Sequence, residues 1–254
     1  MNLSFTGKVV LITGGASGIG LAMVRAFSSA GATVHVLEPN AEQARAAIGD
    51  ASVRIHSCDV SNQSMVQGAI DALISSARLD VLVNNAGVAH IGTAETTSEA
   101  DLDRLYSVNI KGVYNCIHAA IPHMKRSGGG VILNMASIAG SLGIPERFAY
   151  SMTKGAVLSM TLSVARDFLK DNIRCNSISP ARVHTPFIDG YLAKHYPGRE
   201  PEMFEKLSKT QPIGRMAKPH EIADLALYLC SDAAAFITGT DYPIDGGFIK
   251  LSAG

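Results

Sequence analysis

Tyr150 and Lys154 stand four residues apart in the segment YSMTK, and a serine, Ser137, precedes them. Residues i and i+4 share one face of a helix, so the Lys154 ammonium is predicted to lie near the Tyr150 hydroxyl. An unperturbed tyrosine has a pKa of ~10 and is a poor base at neutral pH. Bringing that pKa close to 7 takes about 4 kcal/mol of differential stabilisation of the phenolate. A neighbouring ammonium favours the phenolate, so this pair is typical of a proton-abstracting site.

The chemistry that fits these three side chains is oxidation of a secondary alcohol. Tyr150 would take the hydroxyl proton, while Ser137 hydrogen-bonds the developing carbonyl oxygen and holds the substrate. The alternative is that Tyr150 and Lys154 only pack on a helix and have no catalytic role. If this pair were the only motif in the sequence, the structural interpretation would be the better one. A second motif, which is typical of nucleotide binding, favours the catalytic interpretation instead.

That second motif is the glycine-rich turn TGGASGIG at 13–20, between a short apolar run and a helical stretch. Glycines allow a tight turn and let backbone amides approach a pyrophosphate, and the helix N-terminus adds its positive end. The alternative is a turn without a ligand, but its place after the first strand of a βαβ unit favours binding. The residues predicted to hold the cofactor at this turn are Gly14, Ser17, Gly18, Ile19 and Gly20.

Glu38 ends the second apolar run, about twenty residues after the turn, where a carboxylate can accept both ribose hydroxyls of an adenosine. The same carboxylate would repel a 2′-phosphate, and its sequence neighbours Leu37, Pro39 and Asn40 carry no positive charge. The sequence therefore predicts NAD as the cofactor rather than NADP. The alternative is an ordinary surface glutamate at a strand end. Asp59 and Val60, after the third apolar run, are predicted to contact the adenine.

Short apolar runs alternate with helical patterns along nearly the whole chain, which is typical of βαβ units in a parallel sheet covered on both faces. We predict an α/β fold, with one Rossmann-type doubly wound parallel sheet of about seven strands flanked by helices. Residues 1–254 would form a single NAD-binding domain. The predicted strands are 8–13, 33–37, 53–57, 79–85, 131–137, 173–179 and 240–245. The predicted helices are 18–31, 41–49, 64–77, 101–127 with a break near Asn109, 150–170 and 219–231.

One proline-containing and charged segment interrupts this alternation between 181 and 218. It follows a strand, and ligands of open α/β sheets bind beyond the carboxyl ends of the strands. We predict that residues 184–212 form a substrate lid.

The composition excludes several classes of function. The 22 basic and 22 acidic residues cancel, so the chain has no electrostatic footprint for nucleic acid or for an anionic membrane. The four cysteines form no C-x-x-C pair, and no metal site is predicted. No apolar run reaches the roughly 20 residues of a membrane helix, and no signal peptide is visible, so a cytoplasmic location is expected.

Taken together, the motifs resemble those of the short-chain dehydrogenase/reductase family over almost the whole chain. The matching segments are the turn at 13–20, Asn84-Asn85-Ala86-Gly87, the four residues Asn109, Ser137, Tyr150 and Lys154, and Asp245-Gly246-Gly247. The resemblance implies that those four residues are a catalytic tetrad, with Lys154 also binding the nicotinamide ribose and Asn109 holding a water on a proton path. It further implies cofactor contacts from Asn85, Ala86, Gly87, Val183 and Thr185.

One departure from the family pattern is visible, because the family's Pro-Gly is Pro180-Ala181 here. The methyl group requires an ordinary φ at Ala181 and narrows the space near the nicotinamide, so we expect an altered but active site. Arg147, three residues before Tyr150, is predicted to bind a substrate carboxylate at the rim of the site. A structural ion pair, near Glu146 or with another subunit, is an equal alternative. His90 and His184 are candidate pocket residues, although a histidine outside a cluster is more often an ordinary polar residue.

The sequence is similar to family members that act on short hydroxy acids, such as the cytosolic 3-hydroxybutyrate type, and on 2-keto-3-deoxy sugar acids of the L-fuconate type. The predicted function is therefore NAD-dependent hydride transfer on a hydroxy acid or a sugar acid. The alternatives are a neutral sugar or polyol dehydrogenase, a 3-oxoacyl-type reductase, or a catalytically silent NAD-binding sensor. The resemblance implies a homotetramer, with one interface on the helices at 101–127 and 150–170 and another on the C-terminal segment 244–254.

Overall fold

The structure, a computed structural model, describes residues 3–75 and 78–251. Within these residues seven strands form one sheet in the order β3-β2-β1-β4-β5-β6-β7, and every neighbouring pair is parallel. The strands are β1 (Val9–Thr13), β2 (Thr33–Glu38), β3 (Arg54–Ser57), β4 (Val81–Asn84), β5 (Gly130–Met135), β6 (Ile173–Pro180) and β7 (Asp241–Ile244).

Helices connect the strands and cover both faces of the sheet. They are α1 (Gly18–Ser29), α2 (Ala41–Ile48), α3 (Gln63–Ile74), α4 (Glu99–Leu105), α5 (Gly112–Arg126), α6 (Phe148–Asp167), α7 (Pro186–His195), α8 (Glu200–Lys209) and α9 (Pro219–Cys230). A π-helical turn (Tyr106–Lys111) joins α4 to α5, and a 3₁₀ turn (Ile138–Gly140) follows β5.

The central strands are apolar without alternation because side chains on both faces are buried. All of β1 and β4 is buried. On one face Ile70, Met124 and Val157 of α3, α5 and α6 pack into one apolar cluster. On the other face Phe27 of α1 and Ile222 of α9 belong to a second cluster. The predicted doubly wound sheet is confirmed.

The strand order reverses beside β1, whose neighbours are β2 on one side and β4 on the other. At such a switch point the loops that leave the two strands run in opposite directions and open a crevice at the carboxyl ends. The glycine turn leaves β1 there, and Asn85-Ala86-Gly87 leaves β4 there. The topology thus brings together two motifs that lie about seventy residues apart in the sequence.

The predicted elements differ from the observed ones mainly at their ends. The predicted helix 64–77 is Gln63–Ile74, and residues 76–77 lie outside the described residues. The break predicted near Asn109 is confirmed as the π-helical turn. The predicted lid, 184–212, contains two ten-residue helices, α7 and α8, that the sequence analysis did not predict. Proline stands in the first turn of each, where its missing N–H costs nothing.

Over residues 3–75 and 78–251, no helix combines the length and the apolar character needed to cross a bilayer.

Candidate active site

The glycine turn owes its shape to backbone constraints that only glycine meets. Gly14 and Gly18 have φ angles of 69° and 52°, in the left-handed region that disfavours a side chain. Gly20 has an ordinary φ, but a Cβ there would lie 2.0 Å from the carbonyl oxygen of Gly14. The turn therefore packs against the start of α1 at a distance that no other residue type allows.

The β4 loop braces this turn. The Asn85 side chain donates hydrogen bonds from Nδ2 to the carbonyl oxygens of Thr13 (3.0 Å) and Gly14 (2.8 Å). In return, the Thr13 hydroxyl accepts from the backbone amides of Asn85 (3.0 Å) and Ala86 (2.9 Å). Hydrogen bonds between side chains and the backbone thus fix the loop after β4 against the loop after β1, on the two sides of the crevice.

The residues present fit a dinucleotide at this crevice. Ser17 is the N-cap of α1 and makes no side-chain cap hydrogen bond, so the positive end of a twelve-residue helix faces the turn. Glu38 is the last residue of β2, and its Oε1 accepts from the backbone amide of Ala16 at 2.8 Å. Its carboxylate is therefore fixed beside the turn, and among the described residues no Lys, Arg or His pairs with it.

The other predicted cofactor residues surround the same edge of the sheet. Asp59 is exposed just beyond β3, and Val60 is buried against Gly112. Thr185 approaches the turn closely, because a Cβ on Gly18 would lie 3.2 Å from its Cγ2. Val183 is buried beside it and bridges to Ala217.

Ala181 lies between this group and β7, and its amide donates to the carbonyl of Ile244 at 3.2 Å. Among the described residues, only Glu146 and Asn172 combine a side chain with a left-handed φ, so Ala181 has the ordinary φ that its methyl group requires.

Lys154 and Tyr150 share one face of α6, as their spacing predicts. The Lys154 Nζ lies 5.8 Å from the centroid of the Tyr150 ring and donates to the carbonyl oxygen of Met135 at 2.7 Å. Burial lowers the pKa of Lys154 to about 8. Ser137 caps the 3₁₀ turn after β5, and its Oγ accepts from the amide of Ala139 at 3.2 Å.

Several groups act on the pKa of Tyr150. Burial is the largest effect and raises the pKa of the phenol, while hydrogen bonding from Ser137 and the positive charge of Arg147 lower it. The Lys154 ammonium donates to the Met135 carbonyl, and its Nζ lies 5.8 Å from the centroid of the Tyr150 ring. That Lys154 lowers the pKa of Tyr150 stays a prediction, and Arg147 is a further cation that acts on the phenol.

Asn109 sits in the π-helical turn and is almost completely buried. Its Nδ2 donates to the carbonyl of Val88 (2.9 Å) and to the hydroxyl of Thr153 (3.0 Å), while its Oδ1 accepts from the amide of Val88 (2.8 Å). Both amide hydrogens are therefore used. The water that the family resemblance implies would need the remaining lone pair on Oδ1 or the main-chain carbonyl.

A Cβ on Gly87 would lie 3.3 Å from Oδ1 of Asn109 and 3.6 Å from Nζ of Lys154. Gly87 thus lets the β4 loop pass between these two side chains.

A strained loop positions Arg147. Glu146 before it has a φ of 58°, which is unfavourable for a residue with a side chain. The Glu146 carbonyl accepts from the amide of Gly92 (2.9 Å), and the Gly92 carbonyl accepts from the amide of Phe148 (3.1 Å). Arg147 donates only to the Glu146 carbonyl, at 3.2 Å, and pairs with no carboxylate in the described part of the chain. The ion pair within one chain is therefore absent from the described residues, while an ion pair of Arg147 with another subunit stays the alternative prediction.

Neither candidate histidine contacts the tetrad through a hydrogen bond in the described residues. The Nδ1 of His90 lies 3.6 Å from Oδ1 of Asp101 on α4. The Nε2 of His184 lies 2.9 Å from Oδ1 of Asp189, and its ring meets that of Phe204 edge-on. A cavity of about 390 Å³ between α7 and α8 is lined by His184, Asp189, Leu192, Glu200, Pro201 and Phe204. His184 thus lines a cavity of the predicted lid.

Two residues near Arg147 were missed by the sequence analysis. The positive charge of Arg147 lowers the pKa of Arg182, and the charges of both arginines lower the pKa of Tyr191. Arg182 follows β6 directly, and Tyr191 lies on α7. The only sequence signal for Arg182 is its position after a strand, inside the motif PARVHTP. Among the described residues, no group of three His, Cys, Asp or Glu side chains is placed to hold a metal ion.

Comparison with known proteins places this geometry in a family. A family model described as enoyl-(acyl carrier protein) reductase matches residues 14–249. D-Threitol dehydrogenase of Mycolicibacterium smegmatis is 39% identical over 248 residues, 95% of this chain and 93% of that protein. 2-Keto-3-deoxy-L-fuconate dehydrogenase of Xanthomonas campestris pv. campestris is 37% identical over 251 residues, 97% of this chain and 82% of that protein.

Solved structures of similar proteins have the same fold as this chain. The 3-ketoacyl-(acyl-carrier-protein) reductase from Brucella melitensis, complexed with NADH, superposes with a TM-score of 0.86 at 35% identity, covering 96% of this chain and 99% of that chain. ElxO with NADP bound has a TM-score of 0.90 at 28% identity, covering 97% of this chain and 100% of that chain. Similar structures thus carry either nicotinamide cofactor.

Proposed function

The chain belongs to the short-chain dehydrogenase/reductase family and is an oxidoreductase of alcohol and ketone groups, and from that premise we propose that it is an NAD-dependent dehydrogenase of a hydroxy acid or a sugar acid, with 2-keto-3-deoxy-L-fuconate as a candidate. The observation that carries the proposal is that Ser137 and Arg147 both act on the half-buried phenol of Tyr150, at the same edge of the sheet as the turn that Glu38 flanks.

In the proposed mechanism Tyr150 is the general base that takes the proton of the substrate hydroxyl. NAD, when bound at the glycine turn, supplies the hydride acceptor. Ser137 donates a hydrogen bond to the substrate oxygen as it becomes a carbonyl. Lys154 holds the cofactor ribose, and its lowered pKa of about 8 lets it exchange a proton near neutral pH. Asn109 fixes the β4 loop against α6 and holds the water that leads the proton away.

The preference for NAD rests on Glu38. Its carboxylate is anchored to the Ala16 amide at 2.8 Å, beside the turn, and would repel a 2′-phosphate there. A carboxylate at this place accepts hydrogen bonds from the two ribose hydroxyls of NAD.

The preference for an acid rests on Arg147, whose charge acts at the phenol of Tyr150 and is not neutralised by a carboxylate of the described chain. Arginine binds a carboxylate through two parallel hydrogen bonds, which would orient the hydroxyl of the same substrate toward Tyr150. His90 and His184 are retained as weaker candidates for substrate contact.

The direct test is turnover across a substrate panel with NAD⁺ and with NADP⁺, followed by the absorbance of the reduced cofactor. The panel contains 3-hydroxybutyrate, 2-keto-3-deoxy-L-fuconate, neutral sugars, polyols and steroid alcohols, and Arg147→Ala is assayed beside the wild type. We expect turnover of an acid with NAD⁺, lost in the variant mainly through a raised KM. Turnover of neutral alcohols that is indifferent to Arg147 would contradict the acid substrate, and a preference for NADP⁺ would contradict the role of Glu38. Cofactor binding without any turnover would favour the sensor.

We also propose a homotetramer. Large apolar side chains are exposed on α5 and α6, among them Tyr114, Met152 and Leu162, and such residues are typical of a covered face. The second predicted interface, 244–254, falls partly outside the described residues at 252–254. Size-exclusion chromatography with light scattering gives the mass directly, and a monomer would contradict the proposal. The cytoplasmic location stays a prediction.

A further inference from the structure

The segment 88–92 joins two parts of the active site. It begins at Val88, whose amide donates to the Asn109 side chain at 2.8 Å and whose carbonyl accepts from it at 2.9 Å. It ends at Gly92, which forms a parallel β-bridge with Arg147. Arg147 is the N-cap of α6. One short stretch of backbone therefore connects a residue of the tetrad to the start of α6.

His90 lies in the middle of this segment, and only 16% of its side chain is exposed. One edge of its ring faces α4, where Nδ1 lies 3.6 Å from Oδ1 of Asp101. The other edge faces Gly92, because a Cβ on that glycine would lie 2.7 Å from Nε2 and 3.2 Å from Cδ2 of the ring. The ring therefore fills the space between α4 and the backbone of Gly92.

The carboxylate of Asp101 is itself held in place. Its Oδ2 accepts from the Ser98 hydroxyl at 2.7 Å, and its Oδ1 accepts from the Arg104 guanidinium at 3.3 Å. The Asp101 amide donates to Oγ of Ser98 at 3.1 Å, so this residue belongs to the capped first turn of α4. The ring of His90 thus packs against a fixed wall.

The far nitrogen of the His90 ring has no partner. Within residues 3–75 and 78–251, Nε2 is buried and makes no hydrogen bond. Burying an unpaired polar atom is unfavourable, so its presence needs an explanation. Because Nε2 is shielded from solvent and faces Gly92, the ring acts through the backbone beside it and not on a substrate directly.

We propose that His90 is a positioning residue of the active site: its ring, set between Asp101 and Gly92, holds the bridge that places Arg147 at the rim of the site. The proposal rests on the proposed function, which assigns Arg147 to the substrate, and extends it by a residue that acts on substrate binding from a distance. Since Tyr150 lies within α6 and Arg147 only at its N-cap, a displaced bridge moves the arginine more than the phenol.

Steady-state kinetics with the best acid of the panel tests this role. For His90→Ala we expect KM to rise about tenfold or more, with kcat changed less than about threefold and the dissociation constant for NADH within about twofold of the wild-type value, because a displacement of about 1 Å is enough for losses of this size. His90→Phe restores a ring against Gly92 and should recover most of KM. His220→Ala, at an exposed position on α9, is the matched control and should keep the wild-type values.

Two kinetic results would overturn the proposal. The first is an unchanged KM in His90→Ala under conditions where Arg147→Ala raises it. The second is a loss of kcat or of NADH affinity in His90→Ala as large as the change in KM, since that would indicate general damage to the fold.

A double-mutant cycle tests the contact between the ring and the glycine. Gly92→Ala alone adds a Cβ 2.7 Å from Nε2 of His90, so it should raise KM about as much as His90→Ala does. In the His90→Ala protein the ring is gone, and the nearest remaining atom is Oγ1 of Thr97 at 3.1 Å. The second substitution should then change KM less than about twofold. Losses that multiply in the double variant would overturn the proposal.

Hydrogen exchange separates failure of this role from failure of the proposed function. It is followed without substrate in the peptides that contain the amides of Gly92 and Phe148, which form the hydrogen bonds of the bridge. We expect faster exchange in His90→Ala and wild-type exchange in His90→Phe and in His220→Ala. That result upholds the role of His90 even if Arg147→Ala leaves KM unchanged, which would contradict the proposed function alone. Unchanged exchange in His90→Ala would overturn the role of His90.

Discussion

The two sides of the crevice are built by different means. On the cofactor side, the glycine turn is held by main-chain contacts and by Asn85, and Glu38 is satisfied by a backbone amide. On the substrate side, Arg147 and Arg182 carry positive charges that no described carboxylate neutralises, and Arg147 follows a strained Glu146. The polar groups of the cofactor side therefore have partners within the chain, while the two guanidinium groups of the substrate side have no carboxylate partner among the described residues.

This difference explains how one fold serves many substrates. The turn tolerates little change, because a Cβ on Gly14 or Gly20 would meet backbone atoms and Gly18 has a left-handed φ of 52°. The substrate side depends on side chains from the loops after β5 and β6 and from α7, which can be exchanged without rebuilding the sheet. The relatives act, by their names, on threitol and on a deoxy sugar acid, in agreement with this view.

The largest effect is expected from Gly20→Ala, which changes the glycine turn on the cofactor side of the crevice. The added Cβ would lie 2.0 Å from the Gly14 oxygen, so the turn must open and the affinity for NADH should fall about 100-fold or more. Titration of NADH fluorescence measures the affinity. Gly68→Ala on α3 is the control, since its Cβ meets no atom within 4 Å, and it should raise the unfolding free energy by about 0.5–1 kcal/mol. A Gly20→Ala protein with wild-type affinity would contradict the geometry.

Glu38→Gln, also on the cofactor side, removes the negative charge of Glu38 while keeping a side chain of the same shape. The amide oxygen of glutamine still accepts from Ala16, but the negative charge is gone. We expect the preference for NAD⁺ over NADP⁺, as a ratio of kcat/KM values, to fall about 10- to 100-fold, because a hydrogen bond to a charged group contributes about 1.5–3 kcal/mol. Glu42→Gln, at an exposed position on α2, should leave the ratio unchanged. If the ratio of the kcat/KM values for NAD⁺ and NADP⁺ were the same in both variants, the charge of Glu38 would not determine which cofactor is used.

Arg147→Ala shifts the pH dependence on the substrate side. The positive charge of Arg147 lowers the pKa of Tyr150, so its removal raises that pKa. Because oxidation needs the phenolate, activity is lost as the pH falls through this pKa, and the acidic limb of the kcat/KM profile should move to higher pH. Arg147→Lys retains the charge and should leave the limb near its wild-type place. An acidic limb at the same pH in Arg147→Ala would show that another group sets it.

Glu146→Gly is expected to have the smallest effect. Glycine relieves the left-handed φ of 58°, so the unfolding free energy should rise by no more than about 1 kcal/mol, while KM for an acid rises a few-fold because Arg147 is less firmly held. Asn172→Gly is the control, with a φ of 56° at a site next to β6 and distant in sequence from the crevice loops. KM should change in the first variant only. Equal KM values would show that the strain at Glu146 does not position Arg147.

The cofactor side could be predicted from the sequence because its constraints are local. A glycine at a fixed spacing after an apolar strand identifies the turn, and the alternation of strands and helices gives the parallel sheet. Arg182 and Tyr191 escaped prediction because the effect of Arg147 on their pKa values depends on how the segments after β5 and β6 and the helix α7 meet. The effect of Arg147 on Tyr150 escaped prediction for a related reason: spacing places Lys154 on the correct face of α6, but only the fold shows that Arg147 also acts on the phenol and that the Lys154 ammonium donates to the Met135 carbonyl.

The most direct test of the account is Tyr150→Phe, measured for cofactor binding and for turnover in the same preparation. The fluorescence of the reduced nicotinamide is excited at wavelengths where protein side chains do not absorb, so it reports the binding of NADH directly. We predict a dissociation constant for NADH close to that of the wild type and a kcat reduced about 10²- to 10⁴-fold with the best substrate of the panel. Turnover that survives the loss of the phenol hydroxyl would contradict the assignment of Tyr150 as the base.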